Sequence, residues 1–158
     1  KPILLGGLHK LAEITPPAFN EFKMSNMKND CELISNKNHI PFKWNEKFPI
    51  NSISIMRGYL FIDEKKKEHY LNTFFDAYWK YNQDLSIPSN FYKNAEKLNI
   101  DPLILQKGIK DENIKEKLKQ LTNNAFSRKI FGAPTFVYNE KIFWGQDRLE
   151  YAIDEYLG

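Results

Sequence analysis

Between Phe22 and Phe131 the apolar residues of this chain recur at helical spacing, and near the C terminus they give way to a short β-branched and aromatic run. The pattern predicts a helix over about Phe22 to Asn36 and a second from Asn51, with Ile53, Met56 and Leu60 on one face. A longer helix is predicted after Asp63, read as its N-cap, carrying Leu71, Phe74, Phe75 and Tyr78. Pro88-Ser89-Asn90 opens another near Phe91 to Leu98, and Asp101-Pro102 has N-cap and N1 chemistry for a short one to about Lys107. Ile114, Leu118, Leu121 and Ala125 define a helix ending near Phe131. Residues 9 to 22 read as irregular. The loop with Pro41, Phe42, Trp44, Phe48 and Pro49 reads as lid or core packing. At the start, Lys1-Pro2-Ile3-Leu4-Leu5-Gly6-Gly7-Leu8 reads as the end of a strand running into a loop.

The last stretch is the most informative. Thr135 to Tyr138 favours a strand, Asn139-Glu140 a turn, and Lys141 to Trp144 the returning arm of a hairpin. Pro134 stands at the entrance of the first arm, where its missing N–H does little harm and where only proline makes a cis bond affordable. Gly145-Gln146-Asp147 then opens a helix with Leu149, Ala152, Ile153 and Tyr156 on one face. The free N–H groups at such a start form a small anion site. Trp144 is expected under that helix.

Composition narrows the class. With 158 residues, 42% hydrophobic and 15% aromatic, the chain can bury one ordinary core. Its net charge of +3 comes from interleaved acids and bases, so neither a nucleic-acid stripe nor a polybasic membrane anchor stands out. Lys65-Lys66-Lys67 reads as a solvated face. No apolar run is long enough to cross a bilayer. One cysteine, Cys31, cannot form an internal disulfide, which fits a reducing, cytoplasmic setting, and its neighbours Asp30 and Glu32 disfavour a nucleophilic thiolate. His9, His39 and His69 lack metal-ligand spacing, and no metal is expected.

A strand in front, helices in the middle and a hairpin plus helix behind do not close a sheet alone. A βα unit preceding Lys1 is therefore expected to supply a parallel strand. The fold class expected is α/β: a thioredoxin-like domain, incomplete at its N terminus, formed by residues 1–8 and 132–158, with residues 9–131 a large, mainly helical insertion and lid.

The residues resemble those of 2-hydroxychromene-2-carboxylate isomerases and their relatives the kappa-class glutathione transferases, in the DsbA-like branch of the thioredoxin fold. The resemblance runs from Lys1-Pro2-Ile3-Leu4-Leu5-Gly6-Gly7-Leu8, through Pro41-Phe42 and Phe48-Pro49-Ile50-Asn51-Ser52 with Arg57, to Trp144-Gly145-Gln146-Asp147-Arg148-Leu149, its most specific piece. It implies glutathione as cofactor, a cis bond before Pro134, and strand-like pairing of the Ala133 backbone with the cysteinyl part of glutathione. It implies that Gln146 and Asp147 hold the γ-glutamyl end, the amides taking its carboxylate and the Asp side chain its ammonium. Lys23 matches by spacing a lysine that faces the glycyl carboxylate, while Arg148 is read as a structural salt bridge. Where the family commonly has an asparagine, before the proline pair, this chain has Ile14, which cannot donate that hydrogen bond. The family's activating serine lies in the first βα turn, expected upstream of Lys1, so no catalytic residue is assigned within this chain.

The activity so implied is cis-trans isomerisation of a small aromatic chromene carboxylate by reversible addition of the glutathione thiolate, with Phe42, Trp44 and Tyr59 as candidate walls for the ring. A homodimer is expected by family analogy. Three alternatives stand beside it: a kappa-type transferase or peroxidase on the same site, a DsbA-like thiol-disulfide oxidoreductase, and a catalytically silent binding domain.

Overall fold

The computed structural model describes residues 1–158. Eight α-helices and one hairpin follow in order: α1 (Leu5–Leu11), α2 (Glu21–Lys37), α3 (Ile53–Phe61), α4 (Lys67–Phe75), α5 (Pro88–Glu96), α6 (Pro102–Lys110), α7 (Glu112–Ser127), β1 (Thr135–Tyr138), β2 (Lys141–Trp144) and α8 (Leu149–Leu157). A π-helical turn, Asp76–Lys80, continues α4, and short 3-10 turns precede α2, α4 and α8.

The expected strand at residues 1–8 is a correction: residues 1–4 are irregular and α1 begins at Leu5. A strand needs a neighbouring backbone, and the two arms of the hairpin pair only with each other. The apolar residues instead fold onto α7. The Leu4 N–H donates to the Thr122 hydroxyl at 2.9 Å, that hydroxyl donates to the Leu118 carbonyl, and Leu8 is wholly buried. A Cβ on Gly7 would meet Thr122 at 3.6 Å, ordinary contact distance, so this face of α1 lies directly against α7.

The helical expectations hold in type and approximate place. Asp101 caps α6 by accepting from the N–H groups of Leu103 and Ile104, with Pro102 next in line, and Asp111 does the same for α7. Asp63 makes no side-chain cap, which corrects that expectation. Leu71 and Phe75 are also corrected: both are exposed, while Tyr70, Phe74, Ala77 and Tyr78 enter the core. The buried stripe Tyr70, Phe74, Ala77 and Tyr78 has ordinary helical spacing, and Leu71 and Phe75, each one position past a member of it, turn to solvent. Lys66 is not simply solvated either; its Nζ donates to the Asn99 carbonyl at 3.0 Å, closing the C-terminal end of α5.

The main core gathers residues of α4, the π turn, α5 and α6, including Tyr70, Phe74, Phe91 and Leu105. Tyr70 is fully buried and donates to the Ile55 carbonyl, fixing α3 against α4. On α3, Gly58 lets Tyr70 and Leu105 come close, and the Phe61 ring lies over Gly108 of α6.

The hairpin pairs Thr135 with Trp144, Phe136 with Phe143, Val137 with Ile142 and Tyr138 with Lys141. Its two-residue turn holds Asn139 and Glu140 at φ 44° and 62°, the left-handed winding that matches strand twist. α8 packs across both arms and buries Ala152. Phe136, Val137, Tyr138, Ala152, Ile153 and Tyr156 line a cavity of about 230 Å³ there.

Candidate glutathione site

The segment that enters β1 is held from both sides. Thr135 Oγ1 donates to the Gly132 carbonyl at 2.7 Å, and Gly132 itself is buried beneath Trp144, whose Nε1 stands where a Cβ would be. Trp144 thus packs over Gly132 and against Phe131, with ring centroids 5.2 Å apart, rather than under α8 as expected. The Ala133–Pro134 bond is cis. Ala133 is exposed and lies outside the ladder; neither its N–H nor its carbonyl bonds to another group of the chain. It presents one free donor and one free acceptor, the two groups a strand-like ligand requires.

The helix start is tied to that segment by one bond, from the Gly145 N–H to the Pro134 carbonyl at 3.0 Å. Gly145 takes φ +104°, a conformation that glycine adopts without Cβ strain. The turn Gln146–Arg148 then leads into α8, with Gln146 and Asp147 both exposed. The first N–H groups of such a turn have no intrahelical acceptor and carry the positive end of the dipole. Asp147 is no simple N-cap: its Oδ1 folds back over Gly145, and its Oδ2 accepts from Arg148 Nη1 at 2.8 Å. Arg148 is therefore an ion-pair partner, as expected, and also lies over the Tyr151 ring at 5.6 Å.

The DsbA-like thioredoxin domain family matches residues 1–156. The chain belongs to that family. It is 31% identical over 80 residues to the 2-hydroxychromene-2-carboxylate isomerase of Pseudomonas sp. (strain C18), a match covering 51% of this chain and 38% of that protein. It is 29% identical over 86 residues to the enzyme of the same name from Pseudomonas putida, covering 54% and 42%. The matched part therefore spans about two fifths of either curated relative. A solved 2-hydroxychromene-2-carboxylate isomerase structure superposes with a TM-score of 0.86 at 23% identity, covering 100% of this chain and 78% of that one. That likeness establishes the fold.

Within this DsbA-like chain the structure brings four of the five sequence-derived site residues together: Ala133, Pro134, Gln146 and Asp147, linked through Gly145. Lys23 stands elsewhere. It is exposed in the first turn of α2, its N–H bonded to the Asn20 side chain, and α2 packs chiefly on the short turn Pro17–Phe19. Ile14 is partly exposed after α1, its N–H bonded to the His9 carbonyl. His9 is buried in the last turn of α1. Burial, then the Asp30 and Glu32 carboxylates, push the Cys31 thiol above its ordinary value, which agrees with an inert thiol.

Of the candidate ring walls, Phe42 and Trp44 are engaged with Trp79, at 5.7 Å in both cases, while Tyr59 packs in another place, 6.3 Å from Tyr70 and under Lys67 Nζ. Sequence reading missed Trp79 as the hub of this cluster. The π turn places it, and no local signal in the sequence distinguishes a π turn from α-helix. Phe48, next to a second cis bond at Pro49, completes the cluster.

Proposed function

We propose that the protein is a glutathione-dependent isomerase of 2-hydroxychromene-2-carboxylate-type aromatic substrates. The observation that carries this reading is the unbonded, exposed Ala133 backbone tied through the Gly145–Pro134 hydrogen bond to the Gln146–Asp147 turn. The named relatives support the substrate class.

The donor set suits the tripeptide. Ala133 offers a free N–H and a free carbonyl for a peptide main chain, the amides opening the turn suit a carboxylate, and Asp147 offers a carboxylate for an ammonium. Glutathione, when bound, supplies a thiol nucleophile for a conjugated double bond. On this reading Ala133 aligns the cofactor by strand-like pairing, and Gln146 and Asp147 fix its γ-glutamyl end. The positive end of the turn and of α8 favours negative charge beside them. Arg148 holds the Asp147 carboxylate in place at 2.8 Å. Lys23 serves the glycyl carboxylate only if α2 lies at the far end of that ligand.

The test is turnover of 2-hydroxychromene-2-carboxylate by protein expressed from its full natural reading frame, with and without glutathione. Conversion to the trans-hydroxybenzylidene pyruvate only when glutathione is present is the expected result. Absence of conversion under both conditions overturns the reading.

A further inference from the structure

Trp144 is 53% exposed, and its indole N–H is unused. From Gly132 to the C terminus the side chains that donate hydrogen bonds are those of Thr135, Lys141 and Arg148, and Trp144 is not among them. A tryptophan held in the open with its one polar group free suits a ligand, because the ring gives contact area and the N–H gives direction.

Its place is fixed by its neighbours. Trp144 stands opposite Thr135 in the ladder, so its ring lies on the other face of the hairpin from Phe136 and Tyr138, which turn towards α8. The Phe131 ring braces the indole, and the Thr135 hydroxyl holds the Gly132 carbonyl, so that Gly132 stays under Nε1. Gly132 does not take a positive φ, so the backbone does not call for glycine there; the missing side chain makes room for the indole edge. The free N–H is thereby set beside the residue that immediately precedes Ala133, whose own N–H and carbonyl are unused.

The order of these groups says which part of a ligand meets Trp144. Gln146 and Asp147 open the C-terminal turn, the Gly145–Pro134 hydrogen bond joins that turn to Ala133, and the next residue away from the tie is Gly132, under Trp144. A tripeptide with its γ-glutamyl end at Asp147 and its cysteinyl main chain at Ala133 brings its glycyl end to this point. Arg128 and Lys129, both exposed and in no ion pair, follow α7 shortly before Gly132, so the charge at this end favours an anion. We propose that the Nε1–H of Trp144 donates to the glycyl carboxylate of glutathione. This rests on the proposed function and adds to it a residue that selects the tripeptide over the dipeptide γ-glutamylcysteine.

Two measurements test it. In the first, titration calorimetry compares glutathione with γ-glutamylcysteine on the wild type and on Trp144→Phe, which keeps a ring against Phe131 and loses the N–H. The wild type is expected to prefer glutathione about tenfold, and most of that preference to vanish in Trp144→Phe. An unchanged preference, or an equal loss of affinity for both ligands, overturns the proposal. In the second, the wild type is labelled with nitrogen-15, and the Trp144 indole and Ala133 amide resonances are followed during titration. Glutathione is expected to move both, and γ-glutamylcysteine the Ala133 amide alone. An indole resonance that stays still with glutathione, or moves equally with both ligands, overturns the proposal. The Ala133 amide separates the two readings: its movement beside a still indole leaves the glutathione site standing without Trp144, and stillness at both removes the site as well. This arm needs no variant, so it decides the matter even where Trp144→Phe does not fold.

Discussion

The N–H of Gly145 donates to the carbonyl of Pro134 at 3.0 Å, so the entrance of β1 and the start of the C-terminal turn are held as one piece. Two groups that lie apart in sequence, the free Ala133 backbone and the Asp147 carboxylate, therefore keep a fixed relation. A ligand that spans both meets a preorganised surface rather than one that must be ordered on binding.

Asp147→Ala tests that surface without disturbing the fold. The Asp147–Arg148 pair is exposed on both sides, so folding stability is expected to change by no more than about 0.5 kcal/mol. Glutathione affinity is expected to fall about tenfold or more, because the lost contact is a charge-assisted one to an ammonium. Titration calorimetry checks the affinity and urea unfolding the stability. Equal affinities for the two proteins would remove Asp147 from the site.

Gly145→Ala is expected to cost about 1–3 kcal/mol, since φ +104° is a conformation L side chains rarely adopt. The added Cβ would also meet Asp147 Oδ1, which rotates away easily but then leaves Arg148. Loss of glutathione affinity should accompany the loss of stability. A variant with wild-type unfolding midpoint and affinity would contradict this account of the turn.

The segments that sequence reading placed correctly are those whose chemistry is local. Asp101-Pro102 carries its own cap, the hairpin carries its own turn, and the apolar period of α7 lies within α7. The failures share a different cause. The apolar run Ile3-Leu4-Leu5 followed by Leu8 suits a strand or a helix, and the choice fell to α7, which offers Thr122 and a groove but no strand edge. Leu71 and Phe75 were read with the right period and the wrong phase because Tyr70 and Leu71, and Phe74 and Phe75, are adjacent apolar pairs, and only the packing of α4 on its neighbours decides which member of each turns inward. Of the site, Ala133, Pro134, Gln146 and Asp147 were legible as two short motifs at either end of the hairpin. The role of Asn45 was not, because a buried polar group is defined by partners distant in sequence.

Asn45 is 1% exposed and fully used: its amide donates to the carbonyls of Tyr78 and Gln83, at 2.9 and 3.0 Å, and its Oδ1 accepts from the Lys47 N–H. It pins the aromatic loop to carbonyls at the π turn and just beyond it. Asn45→Ala leaves three buried or half-buried backbone groups without partners and is expected to destabilise by about 2–4 kcal/mol. Urea unfolding measures this directly, and a change under about 0.5 kcal/mol would show that the loop is held by its aromatics alone.

Two glycines should respond oppositely to alanine. At Gly58 the new Cβ would meet the hydroxyl of Tyr70, a fully buried ring with no room to move, and a loss of about 1–3 kcal/mol is expected. At Gly6 nothing lies within 4 Å, and the helical preference of alanine over glycine should raise stability by up to about 1 kcal/mol. Thermal melts of the two variants, side by side, check the contrast; a destabilised Gly6→Ala would mean that α1 does not hold in solution.

Alkaline pH tests the core through its tyrosines. Burial, and then the Asp84 carboxylate, push the Tyr78 phenol up to about 12 from an ordinary value near 10.0, and burial raises Tyr70 further still. The neutral phenol is the form the fold holds, so this contribution is complete below pH 10, where the unfolded chain keeps its protons too. Above that the unfolded state releases protons that the folded state retains, and stability falls as the pH rises from 10 through 12. Tyr78→Phe removes one of these phenols, whose hydroxyl has no hydrogen-bond partner to lose, and should flatten the decline while leaving stability at neutral pH nearly unchanged. Urea midpoints measured across pH 8 to 11 in both proteins decide the matter, and parallel declines would place the titrating group elsewhere.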